Sequence, residues 1–172
     1  MNQIVLFIAQ GFGIGRIPFA PGTFGSVLGL AWFLVLLLPH SIPIFILGII
    51  LSVPLSIWLC DKGEKILQKK DPGSVVMDEI VAIPFCFASW LIILFLQKHT
   101  WPAPDYFFSS RIWPMTLVVY ILFRIFDIAK PWPIRGSQKL QGGLGVVVDD
   151  LLATVYVTLV VLILWVIKPE WF

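Results

Sequence analysis

Apolar residues in this chain come in long, nearly unbroken runs, not in the alternating or every-third-residue stripes of a water-soluble fold. The runs fall at about 24–38, 42–60, 80–97, 113–128 and 151–167. A straight membrane-crossing helix needs about 20 apolar residues, so each run predicts a helix at or near that length. The first and fourth are short, and either can be a re-entrant helix instead. "PHSIP" (39–43) between the first two suits a tight helical hairpin. The expected fold class is all-α: a polytopic membrane helical bundle with about five membrane segments, some of them re-entrant if short, in one domain over residues 1–172.

Composition agrees with that class. Of 172 residues, 59% are hydrophobic and 13% charged, against about 25% charged in a typical soluble domain. The net charge of +2 gives no bulk electrostatic case for nucleic acid as a partner. Cys60 and Cys86 lie in apolar segments and read as small buried hydrophobes, not as a disulfide. The N-terminal "MNQIVLFIAQGFGIG" has an apolar patch without a basic residue before it, so it does not read as a cleaved signal peptide.

Charge in the connecting segments sets an orientation. Segment 61–79 holds Lys62, Lys65, Lys69 and Lys70, and segment 129–145 holds Lys130, Arg135 and Lys139. The positive-inside rule puts both in the cytoplasm. "PHSIP" has no Lys or Arg, and segment 98–112 has only Lys98 and Arg111, with Trp101, Tyr106 and Trp113 as interfacial anchors. Five spans with the N-terminus inside satisfy all of this. In this topology Arg16, Asp78, Glu79, Arg124, Asp127, Lys130, Arg135, Asp149 and Asp150 all fall at the cytoplasmic end, from separate elements. His40 and His99 fall at the other.

Five carboxylates at one depth (Asp78, Glu79, Asp127, Asp149 and Asp150) cannot all stay ionised without cations. Oxygen ligands without His or Cys suit Mg2+ best, then Mn2+ or Ca2+. In "FRIFDIAKPWPIR" (123–135), Arg124 and Asp127 share a helix face at i, i+3. Pro131 and Pro133 end that helix, and Lys130 and Arg135 project from its exit. Arg binds phosphate through a fork, Lys as a point charge. "GFGIGRIPFAPGTFGS" (11–26) has glycines whose backbone N–H groups can approach an anion, and Thr23 and Ser26 can cap the helix that starts there. A carboxylate-held metal, surplus bases and a Gly-rich loop together describe phosphoryl chemistry at a membrane surface.

Blander readings stand beside this one. The Asp78–Glu79 and Asp149–Asp150 pairs each favour a helix N-terminus through its dipole. Arg124 with Asp127 can be a structural ion pair. Lys62–Lys70 reads as a solvated face. Both acidic pairs at one depth, beside extra bases, favour a site. A Cys-x5-Arg loop, a placed histidine and a D-x-D nucleophile motif are all absent, which leaves activated water or an Asp nucleophile.

Four blocks carry a resemblance: "GIGRIPFAPGTFGS" (13–26), "DPGSVVMDEIVA" (71–82), "FRIFDIAKPWPIR" (123–135) and "GGLGVVVDDLLA" (142–153). In these the chain resembles the phosphatidylglycerophosphatase A family. The resemblance implies a multi-pass bacterial inner-membrane enzyme that hydrolyses phosphatidylglycerophosphate to phosphatidylglycerol and phosphate with Mg2+, its partner being a lipid phosphomonoester in the bilayer. It maps the family's acids onto Asp78, Glu79, Asp127, Asp149 and Asp150, and anion-binding residues onto Arg16, Thr23, Arg124, Lys130 and Arg135. Ala82 and Thr154 stand where the family often has glycine, which bears on helix packing more than on chemistry. The residues so read are Asp78, Glu79, Asp149 and Asp150 as metal ligands, Asp127, Arg124, Lys130 and Arg135 as catalytic groups, and Arg16, Thr23 and Ser26 at the phosphate. Two rivals remain: a head-group phosphotransferase, whose D-G-x2-A-R signature is missing, and a cation- or proton-coupled transporter, which needs acids at the midplane.

Overall fold

The structure is a computed structural model that describes residues 2–171. It is all-α over those residues, with seven helices: α1 (Asn2–Ala9), α2 (Pro21–Leu37), α3 (Ile42–Leu67), α4 (Met77–Lys98), α5 (Trp113–Ala129), α6 (Ile134–Ser137) and α7 (Gly143–Ile167). Short 3-10 turns lie at Ile14–Arg16, Pro104–Phe108 and Pro169–Trp171. Helices α3, α4 and α7, of 26, 22 and 25 residues, are long and apolar enough to cross a membrane. Helix α2 is apolar but shorter, at 17 residues.

Helix α4 is the axis, with α2, α3, α5 and α7 packed around it. A helix that is hydrophobic all round belongs in a bundle interior, and Ile83, Phe87, Trp90, Leu91 and Leu94 are accordingly almost inaccessible. Pro84, inside α4, has no N–H to give to the Ile80 carbonyl. Helix α2 closes over that carbonyl at Gly29, where a Cβ would sit 3.0 Å from the Ile80 oxygen and 2.7 Å from Ile83 Cγ1. Close approach through small residues is how helices associate where lipid removes the hydrophobic drive. Toward its C-terminus α4 enters an aromatic cluster. Phe33 stacks on Phe87 at 4.4 Å, and Phe107, from the Pro104–Phe108 turn, meets Phe33, Phe87 and Trp90 edge-on at 5.0, 5.6 and 5.3 Å.

Three local expectations need correction. Helix α3 continues past residue 60 to Leu67, because its last turns turn amphipathic and Lys65 pairs with Asp61 one turn back at 2.6 Å. Helix α7 begins at Gly143 rather than 151, so Asp149 and Asp150 lie inside it and do not open it. The acids broke the hydropathy run, but Val146 and Val147 ahead of them are buried in the core and hold the helix there. Helix α2 starts at Pro21, with Ala20 in the cap position and no side-chain cap. Proline's fixed φ starts the helix, so Thr23 and Ser26 lie within it, and Ser26 Oγ donates to the Gly22 carbonyl at 2.8 Å.

Candidate active site

Charged side chains of α4, α5 and α7 meet at one end of the bundle, where the start of α2 packs against them at Gly22. Asp78 and Glu79 come from the first turn of α4, and Asp150 from the second turn of α7. One oxygen from each of these three lies within 4.8 Å of the others. Asp78 and Asp150 are buried. Asp78 Oδ1, Glu79 Oε2 and Asp150 Oδ2 make no hydrogen bond although solvent does not reach them. Buried carboxylate oxygens left this way are costly unless something positive meets them. The three therefore fit a small hard cation, whose ligands are oxygens.

Arg124 closes one side of the group. Its Nη1 lies 2.9 Å from Asp127 Oδ2 and 4.0 Å from Glu79 Oε1, and donates to Ser26 Oγ at 3.2 Å. The i, i+3 spacing on α5 explains the first contact. Its Nε is buried without a partner, so the fork that Nε forms with Nη2 is uncommitted. Gly22 makes the approach of α2 possible: a Cβ there would sit 2.3 Å from Glu79 Oε1 and 3.1 Å from Arg124 Nη2. Asp127 also neighbours Asp150, which ties the arginine to the acidic group.

Asp149 does not join the three carboxylates. Its Oδ2 takes the ammonium of Lys130 and, at 3.2 Å, the amide of Gln138, while its Oδ1 accepts the Asp150 backbone N–H at 3.0 Å. Lys130 caps α5 in a left-handed conformation, φ 43 and ψ 61, ahead of Pro131. Burial opposes its charge, but the bonded Asp149, with Asp127 and Asp150 nearby, raises its pKa above the usual lysine value. A cleft of about 360 Å3 opens beside Asp149 and is lined by Lys70, Asp71, Gln138, Gly145 and Val146 as well. Lys70 donates to the Gln138 carbonyl at 2.8 Å across it.

The remaining residues read from sequence lie further out. Arg16 is exposed, donates to Gln10 Oε1 at 2.8 Å and lies 5.9 Å from the Phe7 ring. Gln10 in turn donates to Ser74 Oγ at 3.2 Å. Arg135 is exposed on α6 and forms no ion pair or hydrogen bond among the described residues. The first part of the Gly-rich loop has its backbone donors already engaged. The N–H groups of Gly13, Ile14, Gly15, Arg16 and Ile17 all bond to carbonyls within the loop and the end of α1. Thr23 contributes its carbonyl, which accepts the Tyr120 hydroxyl at 2.9 Å. Sequence reasoning missed Gln138 and Tyr120. Nothing distinguishes a glutamine in a polar linker or a tyrosine in an apolar run until the chain folds.

Comparison with known proteins matches these observations to a family. The family model described as phosphatidylglycerophosphatase A matches residues 7–165. A phosphatidylglycerophosphatase A of Haemophilus influenzae is 36% identical over 162 residues, covering 94% of this chain and 88% of that protein. The phosphatidylglycerophosphatase A of Escherichia coli is 31% identical over 150 residues, covering 86% and 76%. A Bacteroides thetaiotaomicron protein provisionally named a phosphatidylinositol-3-phosphatase is 35% identical over 167 residues, covering 94% of each chain. No solved structure matches. With the family model spanning nearly the whole length and relatives above 30% identity, the chain belongs to the phosphatidylglycerophosphatase A family.

Proposed function

We propose that this protein is a Mg2+-dependent phosphatase that hydrolyses phosphatidylglycerophosphate to phosphatidylglycerol and phosphate at the cytoplasmic face of the bacterial inner membrane. The observation that carries the chemistry is the pairing of a buried three-carboxylate group with an arginine whose second fork is uncommitted. The substrate and the membrane come from the family and the relatives. In this reading α2 and α5 are shorter membrane segments that join α3, α4 and α7 in one five-segment integral-membrane domain. The lysines and arginines between α3 and α4 and between α5 and α7 support a cytoplasmic site.

Asp78, Glu79 and Asp150 would hold the cation. When bound, it supplies charge neutralisation at the phosphate and lowers the pKa of a coordinated water. Arg124 takes two phosphate oxygens through Nε and Nη2, as a guanidinium fork does. Asp127 and Ser26 hold the arginine in place through Nη1. Lys130, kept charged by Asp149, adds positive potential where negative charge builds on the transferring group. Water adds to phosphorus, the bond to the glycerol oxygen breaks, and that oxygen takes up a proton. Phosphate then leaves to water through the cleft beside Asp149 and Gln138. Arg16 and Arg135, both exposed, attract the anionic head group to this face. The phosphotransferase reading has no family support, and the aromatic cluster at the far end of α4 weighs against a path through the bundle for ions.

The test is phosphate release by purified protein in mixed micelles, with Mg2+ and with EDTA. Phosphatidylglycerophosphate and phosphatidylinositol 3-phosphate are offered in parallel, because one relative carries the second activity in its name. Mg2+-dependent release from the first supports the proposal. Release from the inositol lipid alone reassigns the head group, and release from neither rejects the phosphatase reading.

A further inference from the structure

Two cavities flank the site, one at Asp149 and one at Arg124, and they differ in character. The cleft at Asp149 is rimmed by Lys70, Asp71 and Gln138 and faces water. On the other side of the site, α2 and α5 both pack against α4 and leave between them a groove of about 510 Å3. Its wall is apolar, from Ile121, Ile125 and Ile128, which are 45%, 52% and 71% exposed and would face the bilayer if α5 is a membrane segment as proposed above. Its floor is Arg124, with Thr23 and Tyr120 at the rim. The Tyr120 hydroxyl bonds to the Thr23 carbonyl across the gap. Arg124 already pairs with Asp127, but its Nε is buried and unbonded, which leaves a donor beside this groove for a further acceptor.

We infer that the α2–α5 groove is a lateral port for the substrate lipid, which seats the glycerol backbone and the adjoining stretch of one acyl chain along Ile121, Ile125 and Ile128 while its phosphomonoester reaches the Arg124 fork. The inference rests on the phosphatase reading and adds to it a route and a subsite. The occupant is amphipathic, with one strongly anionic end and one apolar end, and the groove has the complementary order: guanidinium inside, isoleucines outside. Lipid then reaches the acids sideways without leaving the bilayer, and inorganic phosphate departs through the aqueous cleft.

A second apolar groove serves as the control. It lies among α1, α2, α3 and α4, measures about 330 Å3 and is lined by Phe12, Trp32 and Leu55 among others, without a charged residue. Ile125→Trp and Ile121→Trp each narrow the port, and Leu55→Trp fills the control groove. All three are compared with wild type for KM and kcat on long-chain phosphatidylglycerophosphate in mixed micelles, with a thermal melt to establish folding. The expected result is a rise in KM of about tenfold or more for the folded port variants. The Leu55→Trp enzyme stays within about twofold of wild type. Port variants that match wild type overturn the inference, and so does an equal loss in all three. A wild type inert toward the lipid rejects the phosphatase reading itself and the port with it.

Discussion

The two ends of α4 are built on opposite terms. At the C-terminal half, Phe87 and Trp90 meet Phe33 and Phe107 ring against ring, with no charged side chain among them. At the N-terminal end, Asp78 and Glu79 meet Asp150 across less than 5 Å and leave buried oxygens without partners. One end is held by packed rings. The other, on the proposed function, takes a cation and an anion. A helix that is closed at one end can hold incompletely satisfied charge at the other, because packing there resists the repulsion. The difference separates the part of the molecule that keeps the fold from the part to which chemistry is assigned under the proposed function.

Substitutions can break this contrast from either side. The largest expected effect on activity is Asp150→Asn. It removes charge from the three-carboxylate group and lowers kcat by about 10²–10³-fold or more, as phosphate release reads, while leaving the melting temperature without Mg2+ equal to or above wild type, since repulsion falls. Phe87→Ala should do the reverse. It lowers stability on the order of 3 kcal/mol, measured as denaturant or thermal unfolding in detergent, and leaves kcat per folded molecule near wild type. Arg124→Lys keeps the charge and loses the fork, so kcat/KM falls about 10–100-fold in the same assay with little change in the melt. Gly22→Ala places a methyl on Glu79 Oε1. A displacement of that kind costs about tenfold or more in kcat, while the aromatic end, read by tryptophan fluorescence, stays unchanged. Gln138→Leu is the mildest. It removes one of two donors to Asp149 Oδ2 and lowers kcat by a factor of about five.

The contrast also bears on what the sequence could disclose. Long apolar runs marked the helices, Pro131 marked the end of α5, and the pairing of acids with surplus bases marked the end of the bundle where Asp78, Glu79, Arg124, Asp127 and Asp150 gather. The order within the site was not readable. Asp149 and Asp150 are adjacent in sequence, but consecutive helical residues point about 100° apart. One therefore faces Asp78 and Glu79, and the other faces Lys130 and Gln138. The start of α7 was hidden because carboxylates interrupt a hydropathy run without interrupting a helix. Glycine spacing shows where backbone can approach an anion, not whether its N–H groups are already bonded, as those of Gly13 to Ile17 are. Gly22 was noted for its backbone, and its use is to admit a glutamate and an arginine side chain.

The central claim is that Asp78, Glu79 and Asp150 form a divalent-cation site and Asp149 does not. Mn2+ binding to the detergent-solubilised protein, followed by loss of the free-ion electron paramagnetic resonance signal and competed with Mg2+, tests it most directly. The account predicts binding by wild type, a loss of affinity of about tenfold or more in Asp78→Asn and Asp150→Asn, and a smaller loss in Asp149→Asn. Equal binding by wild type and Asp150→Asn, or a loss confined to Asp149→Asn, would contradict it.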